Sequence, residues 1–161
     1  MTDKPRTIAV TAGRPEGRGE PLNVPITLAS NFRSGPEYAR THGTDTWLAL
    51  EDAVGRLEGG TCLSYSSGMA VAAAIVFALR PEIVVVPSVS YLGVRALLGD
   101  LADRGSLATV PVAIQNTLEV VAAIERAERE ASRGAEGVVL WIETPTNPTL
   151  DVADQIGRAH V

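Results

Sequence analysis

Ile83 to Pro87 reads Ile-Val-Val-Val-Pro, apolar at every position. A strand with one wet face alternates apolar and polar residues. A strand apolar throughout needs cover on both faces, which a parallel sheet flanked by helices provides. Gly137 to Ile142 (Gly-Val-Val-Leu-Trp-Ile) has the same character, and Leu107 to Val112 reads as a further strand. Helical patterns separate them. Tyr91 to Asp103 places Val94, Leu97, Leu98 and Leu101 on one side. Asn116 with Glu119 forms a capping box ahead of Val120, Ile124, Ala127 and Ala131, and Gly134 ends that helix. Strands alternating with helices predict an α/β fold, a mostly parallel sheet with helices on both faces.

Upstream, Asp45 is positioned to cap a helix with Trp47, Leu50, Val54 and Leu57 spaced three and four apart, stopped by Gly59 and Gly60. Thr61 to Tyr65 reads as a short strand and Ser66-Ser67-Gly68 as a tight turn. The following run, Met69 to Leu79, is the longest uninterrupted apolar stretch at 11 residues. That is too short to span a bilayer and suits a buried helix. Residues 1–45 look irregular, with Pro5, Pro15, Pro21, Pro25 and Pro36 interleaved with glycines. Two readings are open there: an arm that wraps another surface, or a poorly ordered terminus.

Composition excludes several classes. The 161 residues amount to about one domain, and the apolar content of 45% is that of a folded chain. A net charge of −5 and only seven aromatics (two Trp, three Tyr, two Phe) argue against a nucleic-acid partner. One cysteine, Cys62, allows no internal disulfide and fits a cytoplasmic protein; with His42 and His160 it cannot build a zinc site. The opening Met-Thr-Asp-Lys-Pro-Arg-Thr-Ile-Ala-Val has no apolar core of a secretory signal. Of 14 basic residues, 13 are arginine, and Lys4 is the one lysine.

In a parallel sheet the ligand crevice lies beyond the carboxyl ends of the strands. Three distinctive loops are expected there. At Ser66–Met69 a strand gives way to a helix on small residues, so free N–H groups and the helix dipole form an anion cup, and Gly68 allows close approach. An N-capped helix without a ligand accounts for the same residues. Tyr91 opens a helix where its ring could stack on a flat ligand or pack on its own corner. Glu143-Thr144-Pro145-Thr146-Asn147-Pro148 is stiffened by two prolines and either presents Glu143 and Asn147 or is simply a turn. The sequence holds no Gly-x-Gly-x-x-Gly and no phosphate loop with its lysine. A serine hydrolase built on Ser66 or Ser67 lacks its Gly-x-Ser-x-Gly turn and has only His42 as a base.

Taken together, Tyr38-Ala39-Arg40, Leu50-Glu51, Leu57-Glu58-Gly59-Gly60, Ser66-Ser67-Gly68-Met69-Ala70, Tyr91 with Gly93, and Glu143-Thr144-Pro145-Thr146-Asn147-Pro148 stand in one order and spacing. From about Thr7 to Asp154 they resemble the cystathionine gamma-synthase family of Cys/Met-metabolism enzymes, which depend on pyridoxal 5'-phosphate (PLP). The resemblance implies a fold-type-I, aspartate-aminotransferase-like large domain. It implies that Ser67, Gly68 and Met69 hold the cofactor phosphate, that Tyr91 stacks on the ring, and that Asn147, supported by Glu143, bonds the ring hydroxyl. Tyr38 and Arg40 would reach a neighbouring subunit's cofactor phosphate in a homo-oligomer, a dimer of dimers. Arginine suits this because its fork matches phosphate oxygens.

The chain departs from the family pattern at Thr44-Asp45-Thr46, at Leu92 and Val94, and at Ala96, where Arg95 stands one place early. The family's Schiff-base lysine, the aspartate that pairs with its pyridine nitrogen and its C-terminal domain have no counterpart, so no catalytic residue is assigned. The expected organisation is therefore an extended N-terminal arm over 1–45, a partial PLP-binding α/β domain over 46–155, and a non-native tail over 156–161 in which His160 has no role. The implied activity is PLP-dependent transsulfuration at the γ-carbon of homoserine esters or cystathionine, with the chain itself inactive. Gamma-lyase and O-acylhomoserine sulfhydrylase activities share the same motifs. A non-catalytic phosphate-binding α/β domain is the reading from another class.

Overall fold

The computed structural model describes residues 4–33, 35 and 37–155; the expected tail over 156–161 lies outside them. The chain divides between Tyr65 and Ser66 into two units.

The N-terminal unit contains α1 (Pro5–Thr11), α2 (Ala39–His42) and α3 (Asp45–Glu58). The stretch expected to be irregular therefore carries two short helices. Pro5 sits in the first turn of α1, where its fixed φ is already helical and its missing N–H is not needed. The Gly13 N–H then donates to the Asp52 carboxylate of α3 at 2.9 Å. Gly13 has φ +68°, and a Cβ there would stand 2.2 Å from the Ala49 carbonyl oxygen, so only glycine lets this bend approach α3. Thr44, not Asp45, is the N-cap of α3, and Asp45 adds its negative charge to the first turn. Gly59 ends α3 in the left-handed conformation at φ 71°, as the paired glycines predict.

The short strand expected at Thr61–Tyr65 does not form; among the described residues no ladder partner stands beside it. A local polar tie takes its place. The amide and hydroxyl of Ser64 both donate to Glu51 Oε1 at 2.7 Å. These two bonds hold the Glu51 carboxyl below its usual range.

The second unit is the α/β layer structure that the apolar strands predict. Its elements are α4 (Gly68–Leu79), β1 (Ile83–Pro87), α5 (Leu92–Asp103), β2 (Ala108–Val112), α6 (Thr117–Glu130), a 3-10 turn (Gly134–Gly137) and β3 (Val138–Leu140). The sheet order is β2-β1-β3 and both pairings are parallel, with Val85 opposite Val110 on one side and Leu140 on the other. All five residues of β1 are buried. Successive side chains point to opposite faces. Ile83 and Val85 pack with Val112, Ile114, Val120, Ala123 and Ala127 under α6. Val84 and Val86 pack with Ala72, Val76, Val94, Leu98 and Leu107 under α4 and α5. Each fully buried valine contributes about 1.5–3 kcal/mol to this core.

Two details depart from the sequence pattern. β3 has three residues, all half-buried, where a six-residue strand covered on both faces was expected. It is an edge of the described sheet, although the Trp141 N–H still donates to the Val85 carbonyl at 2.8 Å. Helix α4 is apolar all round, yet only Ala72 and Val76 are buried, while Phe77 and Leu79 stay exposed. The capping box forms: the Glu119 N–H donates to Asn116 Oδ1 at 3.3 Å. Its carboxylate reaches past the cap to the Ala113 N–H at 2.9 Å. Among the described residues, no helix is long and apolar enough to cross a membrane.

Candidate functional site

Helix α5 follows β1 on one face of the sheet, and α6 crosses to β3 on the other. In a 2-1-3 order the chain leaves β1 toward one edge and returns to the other. The gap beyond the carboxyl ends of β1 and β3 is then the topological switch point, where α/β sheets bind ligands. The loops after those two strands carry Tyr91 and Glu143–Pro148.

Glu143 joins them. Its Oε2 accepts the Tyr91 N–H at 2.8 Å and its Oε1 accepts the same N–H at 3.1 Å. Oε1 also accepts the Asn147 N–H at 3.1 Å. The loop beyond is closed by its own hydroxyls. The buried Thr146 shares a 2.8 Å hydrogen bond with Thr149, and its Oγ1 accepts the Asp151 N–H at 2.9 Å. Asn147 therefore leaves a braced loop with its side chain exposed.

The third loop meets the second at Gly93. A Cβ on Gly93 would fall 2.7 Å from Tyr91 Cε1 and 2.8 Å from Met69 Sδ. The tyrosine ring, the start of α4 and the bare backbone of α5 thus converge on one point, with Tyr91 as a residue 49% exposed. At the start of α4, Ser67 is the N-cap, and its Oγ accepts the Ala70 N–H at 3.1 Å. The N–H groups of Gly68 and Met69 lie in the first turn, where the helix itself supplies no acceptor. A Cβ on Gly68 would meet nothing within 4 Å, so the approach to those N–H groups is open.

The structure brings together Met69, Tyr91, Glu143 and Asn147, with Ser67 and Gly68 at the adjoining helix start. Tyr38 and Arg40 belong to the other unit. Tyr38 caps α2 with its backbone, its N–H donating to His42 Nδ1 at 3.1 Å, and Arg40 is exposed on α2. Two features went unread in the sequence. Ser90 is 2% exposed, with its hydroxyl unpartnered among the described residues, and no spacing rule marks it. The bond from Glu143 to the Tyr91 amide spans 52 residues, beyond any local pattern.

Fold and site define an α/β domain in which an open helix N-terminus and a partly exposed tyrosine lie at a sheet switch point. The family model for Cys/Met metabolism PLP-dependent enzymes matches residues 6–160. The chain belongs to that family. It is 37% identical to cystathionine gamma-synthase of Mycobacterium tuberculosis over 162 aligned residues, 93% of this chain and 39% of that protein. It is 33% identical to human cystathionine gamma-lyase, covering 85% of this chain and 34% of the relative. Among solved structures, metB from Corynebacterium glutamicum superposes with a TM-score of 0.73 at 27% identity, over 95% of this chain and 40% of that one. The chain thus spans between about a third and two fifths of the length of these relatives.

Proposed function

We propose that this chain carries the phosphate cup and ring platform of a PLP-dependent transsulfuration enzyme acting at the γ-carbon of homoserine esters or cystathionine, of the cystathionine gamma-synthase type. The observation that carries the reading is the convergence of the Ser67–Met69, Tyr91 and Glu143–Asn147 segments at the switch point, in a chain of this family. The residues fit the cofactor. Gly68 leaves room for a phosphate against the first turn of α4, and the half-exposed Tyr91 ring offers a face to a pyridine. Bound there, PLP supplies an electron sink for loss of the α-proton of an amino-acid substrate.

The chain's own groups bind and orient. The N–H groups of Gly68 and Met69 donate to phosphate oxygens at the positive end of α4. Ser67 already accepts a hydrogen bond through Oγ, so its own proton is free to donate to the same phosphate. Tyr91 holds the ring face, and the Asn147 side chain donates to the ring hydroxyl. Tyr38 and Arg40 of one copy reach the phosphate of a second copy in a homo-oligomer, a dimer of dimers, in the cytoplasm. The one lysine, Lys4, lies just ahead of α1 and in none of the three segments that meet at the switch point, and the chain is expected to be inactive by itself.

Gly68→Val in the full-length gene product tests the cup. The added side chain stands where the phosphate must approach, and PLP affinity is expected to fall at least tenfold, about one lost charge-assisted hydrogen bond. Unchanged affinity would reduce the cup to a capped helix. Nucleotide binding in place of PLP would favour a non-catalytic phosphate-binding domain. Human cystathionine gamma-lyase among the relatives keeps gamma-lyase as the second reading; products from cystathionine and from a homoserine ester with cysteine separate the two.

A further inference from the structure

We propose that Glu143 is a positioning residue that sets the slot between the Tyr91 platform and the Asn147 side chain; this rests on the PLP reading above. The carboxylate takes three N–H···O contacts, two from the Tyr91 amide and one from the Asn147 amide. Tyr91 is the N-cap residue of α5, and no side chain caps that helix from within the loop. Glu143 therefore holds the N–H of the N-cap residue itself from 52 residues away, near the positive end of the α5 dipole. Among the described residues, no arginine or lysine forms an ion pair with it. Among the described residues, the backbone N–H groups of Tyr91 and Asn147 meet its charge, so its position is tied to those two amides.

The consequence is geometric. The Tyr91 ring is bounded on one side by Gly93 and Met69, and its backbone is held by Glu143. Asn147 leaves the same carboxylate on the opposite loop. The two segments proposed to contact the cofactor ring thus share one anchor, which fixes their backbones relative to each other before a flat aromatic ligand enters. Without the anchor, ligand binding must first order two loops.

The test uses the full-length gene product with Glu143→Gln and Glu143→Ala. Glu143→Gln keeps the size and loses the charge and one acceptor. Four readouts are taken: amide hydrogen exchange at Tyr91 and Asn147, the denaturation midpoint of the PLP-free protein, the PLP dissociation constant, and the induced circular dichroism of bound PLP. Faster exchange at both amides is expected, with PLP binding weakened about tenfold for Glu143→Gln and more for Glu143→Ala, as one or more charge-assisted bonds are lost. The dichroism band should shrink or change sign because the ring is held at a new angle. Should Glu143→Gln lose its folded baseline, Glu143→Asp is measured the same way; it keeps the charge but is too short to reach both amides. Faster exchange with unchanged PLP affinity and dichroism would overturn the inference, leaving a structural staple. Failure of the parent protein to bind PLP would instead overturn the reading it rests on.

Discussion

Gly93→Ala places one methyl at the meeting point of Tyr91 and Met69. That methyl would stand 2.7 Å from Tyr91 Cε1 and 2.8 Å from Met69 Sδ, where ordinary contact begins at 3.4 Å. Both neighbours are side chains and Tyr91 is about half exposed, so the ring can swing outward. Overpacking a closed core costs about 1–3 kcal/mol, and an open corner falls at the low end. Alanine in place of glycine within a helix returns about 0.5–1 kcal/mol. The two effects offset, and the unfolding free energy of the PLP-free protein should stay within about 1 kcal/mol of the parent. The ligand has no such compensation. The ring must retreat by roughly 0.7 Å, and a gap of that size forfeits about a quarter to a half of a dispersion contact. PLP affinity is expected to fall about fivefold, ~1 kcal/mol. Urea denaturation and PLP titration of the full-length gene product separate the two quantities. Adding Met69→Ala should recover part of the affinity by opening one side while keeping the Met69 N–H. Affinity within twofold of the parent, at unchanged stability, would refute the ring as the platform.

Tyr91→Phe should keep most PLP affinity and Tyr91→Ala should lose it, since the ring face does the stacking; equal damage in the two titrations would point to the hydroxyl and to proton transfer. Arg40→Ala mixed with a variant lacking the family's cofactor-anchoring lysine should regain some activity after subunit exchange, because a mixed dimer holds one intact composite site. No recovery in confirmed mixed dimers would remove Arg40 from a neighbour's site. Glu82 gives a pH-dependent prediction. Its carboxylate receives Arg133 Nε at 2.8 Å and the Ser132 N–H at 2.6 Å, and these bonds, the arginine first, hold it below the usual 4.5. A depressed carboxyl stabilises the fold above its unfolded pKa and loses that contribution as the pH falls through the lower folded value. Stability of the parent should therefore drop more steeply than that of Glu82→Gln below about pH 4.5, and parallel denaturation curves would show that the cluster does not carry it.

What the sequence alone determined about this protein is what nearest neighbours along the chain control. The unbroken apolar run Ile83–Pro87 required cover on both faces, and β1 is buried at every position. The three- and four-residue spacings located α5 and α6, and the Asn116–Glu119 and Ser67 caps were legible because a cap reaches three residues at most. Tyr91 and Glu143–Pro148 were legible as loops that end strands, whereas Ser66–Met69 follows no strand; the family resemblance gave all three their expected roles. Tertiary structure decided the rest. α1 formed where prolines and glycines read as irregular, because its end is tied to Asp52, 39 residues away. Thr61–Tyr65 read as a strand but found no ladder partner, and a strand without a neighbour leaves its backbone hydrogen bonds unmade. The length and half-burial of β3 depended on its place at an edge, which no property of Val138–Leu140 encodes. The Glu143 clamp is the plainest case. A glutamate in a proline-rich turn is ordinary locally, and it becomes an anchor only because the 2-1-3 strand order sets the ends of β1 and β3 side by side.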